Sequence, residues 1–481
     1  MTALAQAVSQ VGTRLPEDRR LEFASMLGML LWLLSGCASV SPVALSTQDT
    51  AEQFRSRSLA DDGLKRFALS RGSGVRSWST DKWDTRSLDI AALYFSPTLA
   101  VARSKWLSAQ AAVAVAGEIP NPTLTIGPQF VATAAADIPA WVLATSLVQI
   151  IETGGKRDFR EARARYLAEA ARLDVVNTAW EIVATVNGAL TDVAVARQRL
   201  SVIEQQIASL TTLVDIVGKR IAAGIGNSLE LATTRTALDR ALLEREAART
   251  AEVDAHHRLA QAIGIPVDAL ALDRVSQGMI AVPAASDFLR HARRDAVLNR
   301  ADLLARMAEY AASETALQLE VAAQYPDIEV GPGYEYDQGA DKWGLSLGFQ
   351  IPVFDQHQAA IAEAMAKRRQ AADELMAVQA RVIGEVDRAA AAYESAVRLM
   401  AVTEDLFRRQ ENQARVQQAL FLRGETDRLS LLTAKAELSS AELARIEGEA
   451  TVSKARLALE VATQRSPDAF DPTPFVLQER R

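Results

Sequence analysis

Two groups of residues carry side chains that could bind a metal or a phosphate group. The four histidines are His256, His257, His291 and His357. The adjacent pair His256 and His257 would point about 100° apart on a helix, whereas a metal site favours histidines four residues apart. Gly154-Gly155-Lys156 ends like a phosphate-binding loop, but that loop needs a glycine where Ile150 stands. Because the carboxylates are scattered over helical faces, the sequence predicts no catalytic site, no metal site and no bound cofactor.

A different chemistry is indicated by Cys37, the only cysteine of the chain. It ends the tetrapeptide Leu34-Ser35-Gly36-Cys37, which follows an apolar run from Met26 to Leu34 and the basic pair Arg19-Arg20. A basic segment, a short apolar segment and small residues are the parts of a secretory signal, and the run is too short to span a bilayer. The tetrapeptide is similar to a bacterial lipobox, which predicts cleavage before Cys37 and acylation of its thiol. The alternative is a buried free thiol after an apolar stretch.

The composition and net charge indicate which classes of protein the chain could belong to. Of the 481 residues, 49% are hydrophobic but only 6% are aromatic, which favours long, closely packed helices over bulky cores. The net charge of −7 and the pI near 5.5 argue against a nucleic-acid partner.

The chain contains two copies of one helical hairpin. In the first copy, apolar residues recur at alternating spacings of three and four from Leu200 to Ile221, a heptad stripe typical of a coiled coil. Glycine suits a left-handed residue that ends a helix, and Asn or Asp can cap the next helix. Four positions at and after the turn match at an offset of 200 residues: Gly224 with Gly424, Asn227 with Asp427, Leu229 with Leu429, and Leu231 with Leu431. The sequence therefore indicates a tandem duplication.

Each copy has the same order of predicted elements: a short helix, two strands, a long helix, a turn and a returning helix. The helices are predicted at about 88–117, 156–222, 229–263, 287–323, 356–422 and 429–461. The strands are predicted at Thr123–Val131, Trp141–Ile151, Asp327–Asp337 and Trp343–Val353. The segment 41–86 and the tail after Ser466 show no clear periodicity and are predicted to be irregular. Two short helices placed end to end match one long helix in length, so we expect long helices to alternate with stacked pairs of short ones.

The last predicted strand shows the clearest alternation. Its apolar positions are Trp343, Leu345, Leu347, Phe349 and Ile351. About ten residues of apolar and polar alternation are the signature of a membrane β-barrel strand, so these side chains are predicted to face lipid. The alternative is a half-buried antiparallel sheet of a soluble domain. In the first strand pair the register stays open, because Val148, Ile150 and Ile151 interrupt the period.

These patterns divide the chain into six segments. They are a signal peptide (1–36), a lipid-anchored N-terminal segment (37–86), a first repeat (87–264), a linker (265–286), a second repeat (287–465) and a tail (466–481). The expected fold class is mostly α, with tandem coiled-coil hairpins forming a helical barrel and a small membrane β-barrel portion built from four strands per chain. Four strands leave open edges that lipid cannot satisfy, and membrane barrels need at least about eight strands, so the chain must oligomerise.

With these repeats, the chain resembles the TolC-type outer-membrane efflux channels. The junctions Glu152-Thr153-Gly154-Gly155-Lys156-Arg157 and Ile351-Pro352-Val353-Phe354-Asp355 are similar to the strand-to-helix junctions of that family, and the first looks most like its heavy-metal branch. The resemblance implies a homotrimer with a twelve-stranded barrel in the outer membrane and a helical tunnel across the periplasm. It also implies two protein partners, a periplasmic adaptor and an inner-membrane pump, for which the channel is a passive export conduit.

In that family the turns close the periplasmic end of the tunnel and receive the adaptor. The matching positions of this chain are Gly224, Asn227, Leu229, Leu231, Gly424, Asp427, Arg428, Leu429 and Leu431. The alternative for the two glycines is a purely structural role in the turn. Some relatives carry an acidic ring in the second turn, but Ser430 and Thr433 stand there in this chain, and Glu230 of the first repeat is the nearest candidate for a gate acid.

Two other classes of protein share some of these features. A periplasmic adaptor can also be lipidated and also carries a helical hairpin, but it has one hairpin between β-rich halves rather than two complete repeats. A structural coiled-coil lipoprotein does not account for four alternating strands. The sequence therefore favours an export channel that is anchored in the outer membrane, with the lipid on Cys37 as its only covalently bound group.

Overall fold

The computed structural model describes residues 40–42, 44–70, 78, 82–133, 138–276, 286–465 and 471–476. Cys37 and the predicted signal sequence lie outside these residues. The chain divides into two units, residues 1–56 and 57–481. The described part of the first unit contains one helix, α1 (Thr47–Arg55), and the Ser46 side chain caps it by accepting a hydrogen bond from the Asp49 N–H.

The second unit contains the two repeats, which fold into matching sets of helices. The first set is α3 (Thr85–Phe95), α4 (Pro97–Ala116), α5 (Lys156–Ala222) and α6 (Ser228–Ile263), and the second is α7 (Ser286–Asn299), α8 (Ala301–Ala322), α9 (Gln358–Leu422) and α10 (Arg428–Thr463). The long and returning helices are therefore confirmed to within two residues at each end. At about 1.5 Å per residue, each long helix spans roughly 100 Å.

The prediction of one continuous short helix in each repeat is wrong. Ser96 divides the first into α3 and α4, and Arg300 divides the second into α7 and α8, because both residues have extended backbone angles. Ser96 precedes Pro97, and the residue before a proline is disfavoured in the helical region. Its hydroxyl also accepts a hydrogen bond from the Leu99 N–H, so Ser96 ends one helix and caps the next.

The prediction that segment 41–86 and the tail are irregular is also wrong in part. Helix α2 (Asp62–Ser70) follows α1, and the tail contains the short helix α11 (Thr473–Val476). Leu64 and Phe67 of α2 and Phe475 of α11 are buried in one apolar cluster with α3, α5 and α6. Helices this short are marginal alone, so burial against the repeats explains why local periodicity did not reveal them. The linker holds two turns of 3₁₀-helix, Val267–Ala269 and Leu272–Arg274.

The strands form one antiparallel sheet in the order β1-β2-β3-β4. They are β1 (Thr123–Phe130), β2 (Trp141–Ile151), β3 (Ile328–Asp337) and β4 (Ala340–Phe349), and the central β2–β3 pair joins the two repeats. The predicted last strand is displaced, since β4 begins at Ala340 and ends at Phe349. Gln338 and Gly339 form a two-residue turn with positive φ at both positions, which fixes the start of β4. Beyond Phe349 the chain leaves the ladder, and the Val353 N–H bonds back to the Ile351 carbonyl oxygen at 2.8 Å in a tight turn.

The helices form a layer in which long and short helices alternate. Helix α5 contacts α4 and α6 of its own repeat and α8 and α10 of the second repeat, while α9 contacts α8 and α10. The order is therefore α4-α5-α8-α9 nearer the sheet and α6-α5-α10-α9 nearer the turns. Helix α3 packs on α5 and α6, and α7 packs on α9 and α10. The expected alternation of long helices with stacked short ones is confirmed.

Candidate functional site

The register of the sheet places most of the large apolar side chains of all four strands on one face. Leu124 lies opposite Leu147, and Val330 lies opposite Leu347. Ile151 lies opposite Ile328, so the central strand pair continues the same face from one hairpin to the other. Because side chains alternate along a strand, this apolar face consists of Leu124, Ile126, Pro128, Phe130, Trp141, Leu143, Leu147, Ile151, Ile328, Val330, Pro332, Tyr334, Tyr336, Trp343, Leu345, Leu347 and Phe349, together with the polar residues Thr145, Gln149 and, beside the hairpin turn, Asp341.

The apolar face is exposed in the single chain. Trp343 is 82% exposed and Leu345 is 67% exposed. Near the hairpin turns, Phe130 packs on Trp141 with ring centroids 5.1 Å apart, and Tyr334 packs on Trp343 at 4.9 Å. Soluble monomers rarely expose so continuous an apolar patch, whereas an apolar band bordered by aromatic rings is typical of a barrel wall in a membrane.

The opposite face of the sheet is polar. Lys342 Nζ lies 2.6 Å from Asp337 and 3.3 Å from Glu335, and the Ser346 hydroxyl donates to the Gly331 carbonyl at 2.9 Å. Val148 and Ile150 belong to this face, which settles the register that the sequence left open. A Cβ at Gly331 would lie 2.6 Å from Ser346 Oγ and 3.1 Å from Val148 Cγ2, so a larger residue here would displace both side chains.

Four of the five residues predicted to face lipid share one face of β4, and their contact with lipid stays a prediction. Trp343, Leu345, Leu347 and Phe349 share the apolar face. Ile351 is exposed but lies beyond the end of β4, so its assignment to the strand is wrong. The signal that could have corrected this is the Gln338-Gly339 turn, which fixes the hairpin register independently of the apolar pattern.

Both outer strands of the sheet have an unpaired edge. Among the described residues, β1 pairs only with β2 and β4 pairs only with β3. An open edge leaves a row of backbone N–H and C=O groups without partners, and in hydrocarbon each unsatisfied group costs several kcal/mol. The sheet can therefore cross a membrane only if another chain covers its edges.

The junction between β2 and α5 is tied to the other repeat. Gly154 and Gly155 have φ of 68° and 72°, and this left-handed pair turns the chain from strand to helix. Asp327 then accepts a hydrogen bond from the Thr153 N–H at 2.9 Å and forms an ion pair of 2.7 Å with Lys156. Lys156 thus has a structural role at the base of the sheet. This use of the side chain agrees with the absence of a phosphate-loop spacing in the sequence.

The two predicted turns have the same geometry. Gly224 and Gly424 both have φ of 76°, and the next N–H in each turn bonds back to the helix, from Ile225 to Arg220 and from Glu425 to Leu420. These are Schellman ends, which favour glycine. Asn227 accepts from the Leu229 N–H and Asp427 accepts from the Ser430 N–H, both at 2.9 Å, so the predicted caps are present.

The two turns lie side by side at the same end of the helical layer. Leu210 and Leu213 of α5 pack with Leu432 of α10 just behind the turns, and Leu429 borders this cluster. The hydrogen bonds from Ser430, together with the positive charge of Arg220, hold the pKa of Asp427 below its usual range. The two hairpins therefore form one tip.

The remaining predicted tip residues differ in how accessible they are. Leu229 is 67% exposed and Arg428 is exposed, whereas Leu231 is half-buried. Leu431 is 6% exposed and is packed within the chain rather than presented to a partner. Glu230, the candidate gate acid, lies 3.7 Å from Arg220. Sequence reasoning missed Arg220, because its proximity to both turns depends on how the hairpins pack.

The histidines and carboxylates of the described residues are scattered rather than gathered into a metal site. Among the described residues, no group of three His, Cys, Asp or Glu side chains could hold a metal ion. His256 Nε2 lies 3.0 Å from the Leu270 carbonyl oxygen, which accounts for its position. One described helix, α5, has a stretch long and apolar enough to cross a membrane by length and composition. Of that stretch, 28% is buried within the single chain.

Comparisons with known proteins agree with this arrangement. Residues 91–265 and 292–463, which are the two repeats and more than half of the chain, match the outer membrane efflux protein family. No curated protein sequence matches the chain significantly. The solved structures that match have low sequence identity to this chain, so their likeness to it concerns the fold.

Three solved structures illustrate the likeness. The outer-membrane channel OprN is 17% identical, with a TM-score of 0.65 over 89% of this chain and 98% of that one. The outer membrane protein VceC of Vibrio cholerae is 17% identical, with a TM-score of 0.64 over 79% of this chain and 96% of that one. CusC, which forms a transmembrane channel, is 16% identical, with a TM-score of 0.62 over 89% of this chain and 100% of that one.

The duplicated order of elements, the four-stranded sheet with one apolar face and the paired helical hairpins all agree with the family match over both repeats. The chain belongs to the outer membrane efflux protein family, whose members are passive outer-membrane channels, and it is an efflux channel of the outer membrane.

Proposed function

We propose that three copies of the chain close their sheets into one barrel in the outer membrane and their helices into one tunnel across the periplasm. The conduit is passive: a periplasmic adaptor engages the helical tip and an inner-membrane pump supplies the cargo. The observation that carries the proposal is the sheet itself, which has an exposed apolar face, a polar face and two open edges.

The strand order supports closure by further copies. Each neighbouring pair in β1-β2-β3-β4 is antiparallel, so β1 and β4 run in opposite directions. The β4 edge of one copy can therefore pair with the β1 edge of the next and keep the barrel antiparallel throughout. Three copies give a barrel of about twelve strands, within the range of known membrane barrels. Two copies would give about eight, which makes the number of copies the quantity to measure.

The helical tip supports contact with an adaptor. Ile225 is 71% exposed and lies directly after Gly224, close to the exposed Leu229. Apolar side chains at the far end of a long helix have no role in the membrane, but an incoming adaptor hairpin could bury them. The ion pair between Arg220 and Glu230, beside Asp427, would have to rearrange when the tip opens.

The lipid on Cys37 belongs to the same proposal. Its motif follows the features of a secretory signal, and a lipid there would hold the N-terminal segment at the outer membrane. The diacylglyceryl group expected on such a cysteine carries two acyl chains, which are enough for stable anchoring. The membrane sheet would be a second, independent attachment.

The test is the assembly of the full-length protein extracted from outer membranes. Native mass spectrometry should give three chains per particle, and the particle should conduct ions in a planar bilayer. Leu347→Arg should prevent insertion, since an arginine at the bilayer midplane costs about 2–4 kcal/mol. Gly344→Arg on the polar face of the same strand is the matched control, because no heavy atom lies within 4 Å of a Cβ there. Equal insertion of both variants, or a soluble monomer of the wild type, would contradict the proposal.

A further inference from the structure

The duplication makes it possible to compare the same helix face in a covered and an uncovered setting. On α9, one stripe runs with spacings of three and four, and all of its nine residues are exposed: Arg388, Ala391, Ser395, Arg398, Val402, Leu406, Arg409, Gln413 and Val416. The nine residues 200 positions earlier lie on α5, and none of them is exposed. Val402 is 64% exposed, whereas its counterpart Val202 is 4% exposed. We call the exposed residues the α9 stripe.

The returning helices show the same difference. The α6 stripe consists of nine exposed residues: Leu229, Ala232, Thr236, Asp239, Leu243, Glu246, Thr250, Val253 and His257. None of the nine residues 200 positions later on α10 is exposed. Leu432 and Ile446 are among these counterparts, and both are buried. Within the chain, the stripe of α10 is covered because α10 lies between α5 and α9, whereas α6 borders α5 and the short α3 but no second long helix.

The contact between α5 and α10 shows how the two kinds of stripe fit together. Lys454 lies 2.6 Å from Asp192, and Glu447 lies 3.4 Å from Arg199. A step of seven residues along α5 is thus matched by a step of seven back along α10. Following the same antiparallel register toward the tip, position 202 comes opposite position 444, one residue from Leu443 of the α10 stripe. Further on, Ile216 and Leu429 border one apolar cluster.

We infer that the α9 stripe of one copy packs on the α6 stripe of the next copy, in the register that α5 and α10 use within the chain. The inference rests on the proposed assembly and specifies which residues of neighbouring copies are in contact. Val402 then lies beside Leu243, and Val416 lies beside Leu229. Leu243 and Leu229 are 72% and 67% exposed in the single chain, so each of these strongly exposed leucines gains an apolar partner.

The charges of the two stripes are complementary. The α9 stripe carries Arg388, Arg398 and Arg409 and has no carboxylate, while the α6 stripe carries Asp239 and Glu246 and has no lysine or arginine. In the inferred register, Arg398 lies beside Glu246. Packing of α9 on a second α9, or of α6 on a second α6, would instead bring like charges together, which disfavours a two-fold arrangement. The stripes therefore select head-to-tail contacts, which generate a ring.

Cysteine crosslinking of the full-length protein in membranes tests the register. Val402→Cys combined with Leu243→Cys should give covalent trimers on oxidation, because their Cα atoms would lie within disulfide reach. The matched control combines Val402→Cys with Thr250→Cys, which is on the same stripe but seven residues away, about 10 Å along the helix. This control should give no crosslinked product. Either single substitution alone, with Cys37 retained, should also give none.

The outcomes separate this inference from the proposed assembly. Trimers in native mass spectrometry without a Val402–Leu243 crosslink, or with the Thr250 crosslink instead, would overturn the register while the assembly stands. A crosslink with Val402→Cys alone would show like stripes in contact and also overturn it. Failure to find any oligomer would overturn the assembly itself.

A charge exchange gives an independent measurement. Glu246→Arg should reduce the yield of the Val402–Leu243 crosslink, because an arginine would then face Arg398. Adding Arg398→Glu should restore the yield. A yield that does not change with either substitution, or is lower in the double exchange than in the single one, would contradict the assigned pairing.

Discussion

Asp89 of α3 and Asn187 of α5 form a hydrogen bond of 2.9 Å, in which the asparagine side chain donates to the carboxyl group. Asp89 is only 2% exposed and lies among the buried apolar residues of α3. Burial raises the pKa of Asp89 well above its usual range, and the hydrogen bond from Asn187 offsets only part of that rise. Nearby Asp84 raises it further.

This relationship predicts how stability depends on pH. Since the pKa of Asp89 is higher in the folded protein, the folded state binds more protons than the unfolded state at pH values above the ordinary carboxyl pKa. Stability should therefore fall as the pH rises through that window. Asp89→Asn cannot ionise and should remove this part of the fall. Thermal unfolding followed by circular dichroism at several pH values should show a flatter profile for the variant. The exposed Asp62→Asn should keep the wild-type profile, and an unchanged profile for Asp89→Asn would contradict the assignment.

The turn at Gly424 provides a prediction about the tip. No heavy atom lies within 4 Å of a Cβ built on Gly424, so the demand for glycine comes from its φ of 76° rather than from crowding. Gly424→Val should cost about 1–2 kcal/mol locally and distort the turn. We expect the variant to insert and trimerise but to lose export and crosslinking to the adaptor.

Gly218→Ala is the matched control for the turn. Gly218 also has no heavy atom within 4 Å of an added Cβ, but it lies inside α5. The substitution should leave export unchanged and stabilise the helix by up to about 1 kcal/mol. Wild-type export by Gly424→Val would show that the tip assignment is wrong. Loss of the trimer would show that Gly424 is a folding residue.

The break between α7 and α8 is stabilised by charge. Arg300 is buried and donates to Glu385 at 2.7 Å, to Asp302 at 2.8 Å and to the Ala462 carbonyl at 3.2 Å. It thereby ties α8 to α9 and α10, whereas Ser96 stands at the matching break in the first repeat. Burial alone would raise the pKa of Asp302, but Arg300 and Arg381 outweigh this and lower it.

Arg300→Met should therefore destabilise the helical layer. Removing one partner from a buried ion pair costs about 3–5 kcal/mol, so we expect a lower denaturation midpoint. Because the lowered pKa of Asp302 contributes stability that is lost as the pH falls through its folded-state value, the difference from wild type should shrink in acid. Arg293→Met removes an exposed ion pair with Asp387 and should leave the midpoint nearly unchanged. Equal shifts for the two variants would contradict the role of Arg300.

The predicted lipid site can be examined directly. Mass spectrometry of the mature N-terminus should find a diacylglyceryl group on Cys37. Cys37→Ala should lose the lipid and weaken anchoring, while the sheet still holds the protein in the membrane fraction. An unmodified Cys37, or a mature chain that starts elsewhere, would rule out the lipobox assignment.

The sequence by itself determined the duplication, the long helices and the two turns, because these features are encoded in local periods. A heptad stripe requires a helix wherever it packs. Likewise, Gly224 and Gly424 adopt a backbone conformation that other residues disfavour. The apolar face of β4 could be predicted for the same reason, since strict alternation puts Trp343, Leu345, Leu347 and Phe349 on one side of any strand.

Only the tertiary structure decided which residues meet across elements. The register of β2 depends on its pairing with β1 and β3, so the alternation of Val148 and Ile150 could not settle it. The end of β4 before Ile351 depends on the turn at Gln338 and Gly339, not on the apolar pattern. The proximity of Arg220 to Asp427 and the different exposure of Val202 and Val402 depend on which helices lie side by side. Two repeats with the same order of elements acquire different surroundings because α5 is in the middle of the layer and α9 is at its border.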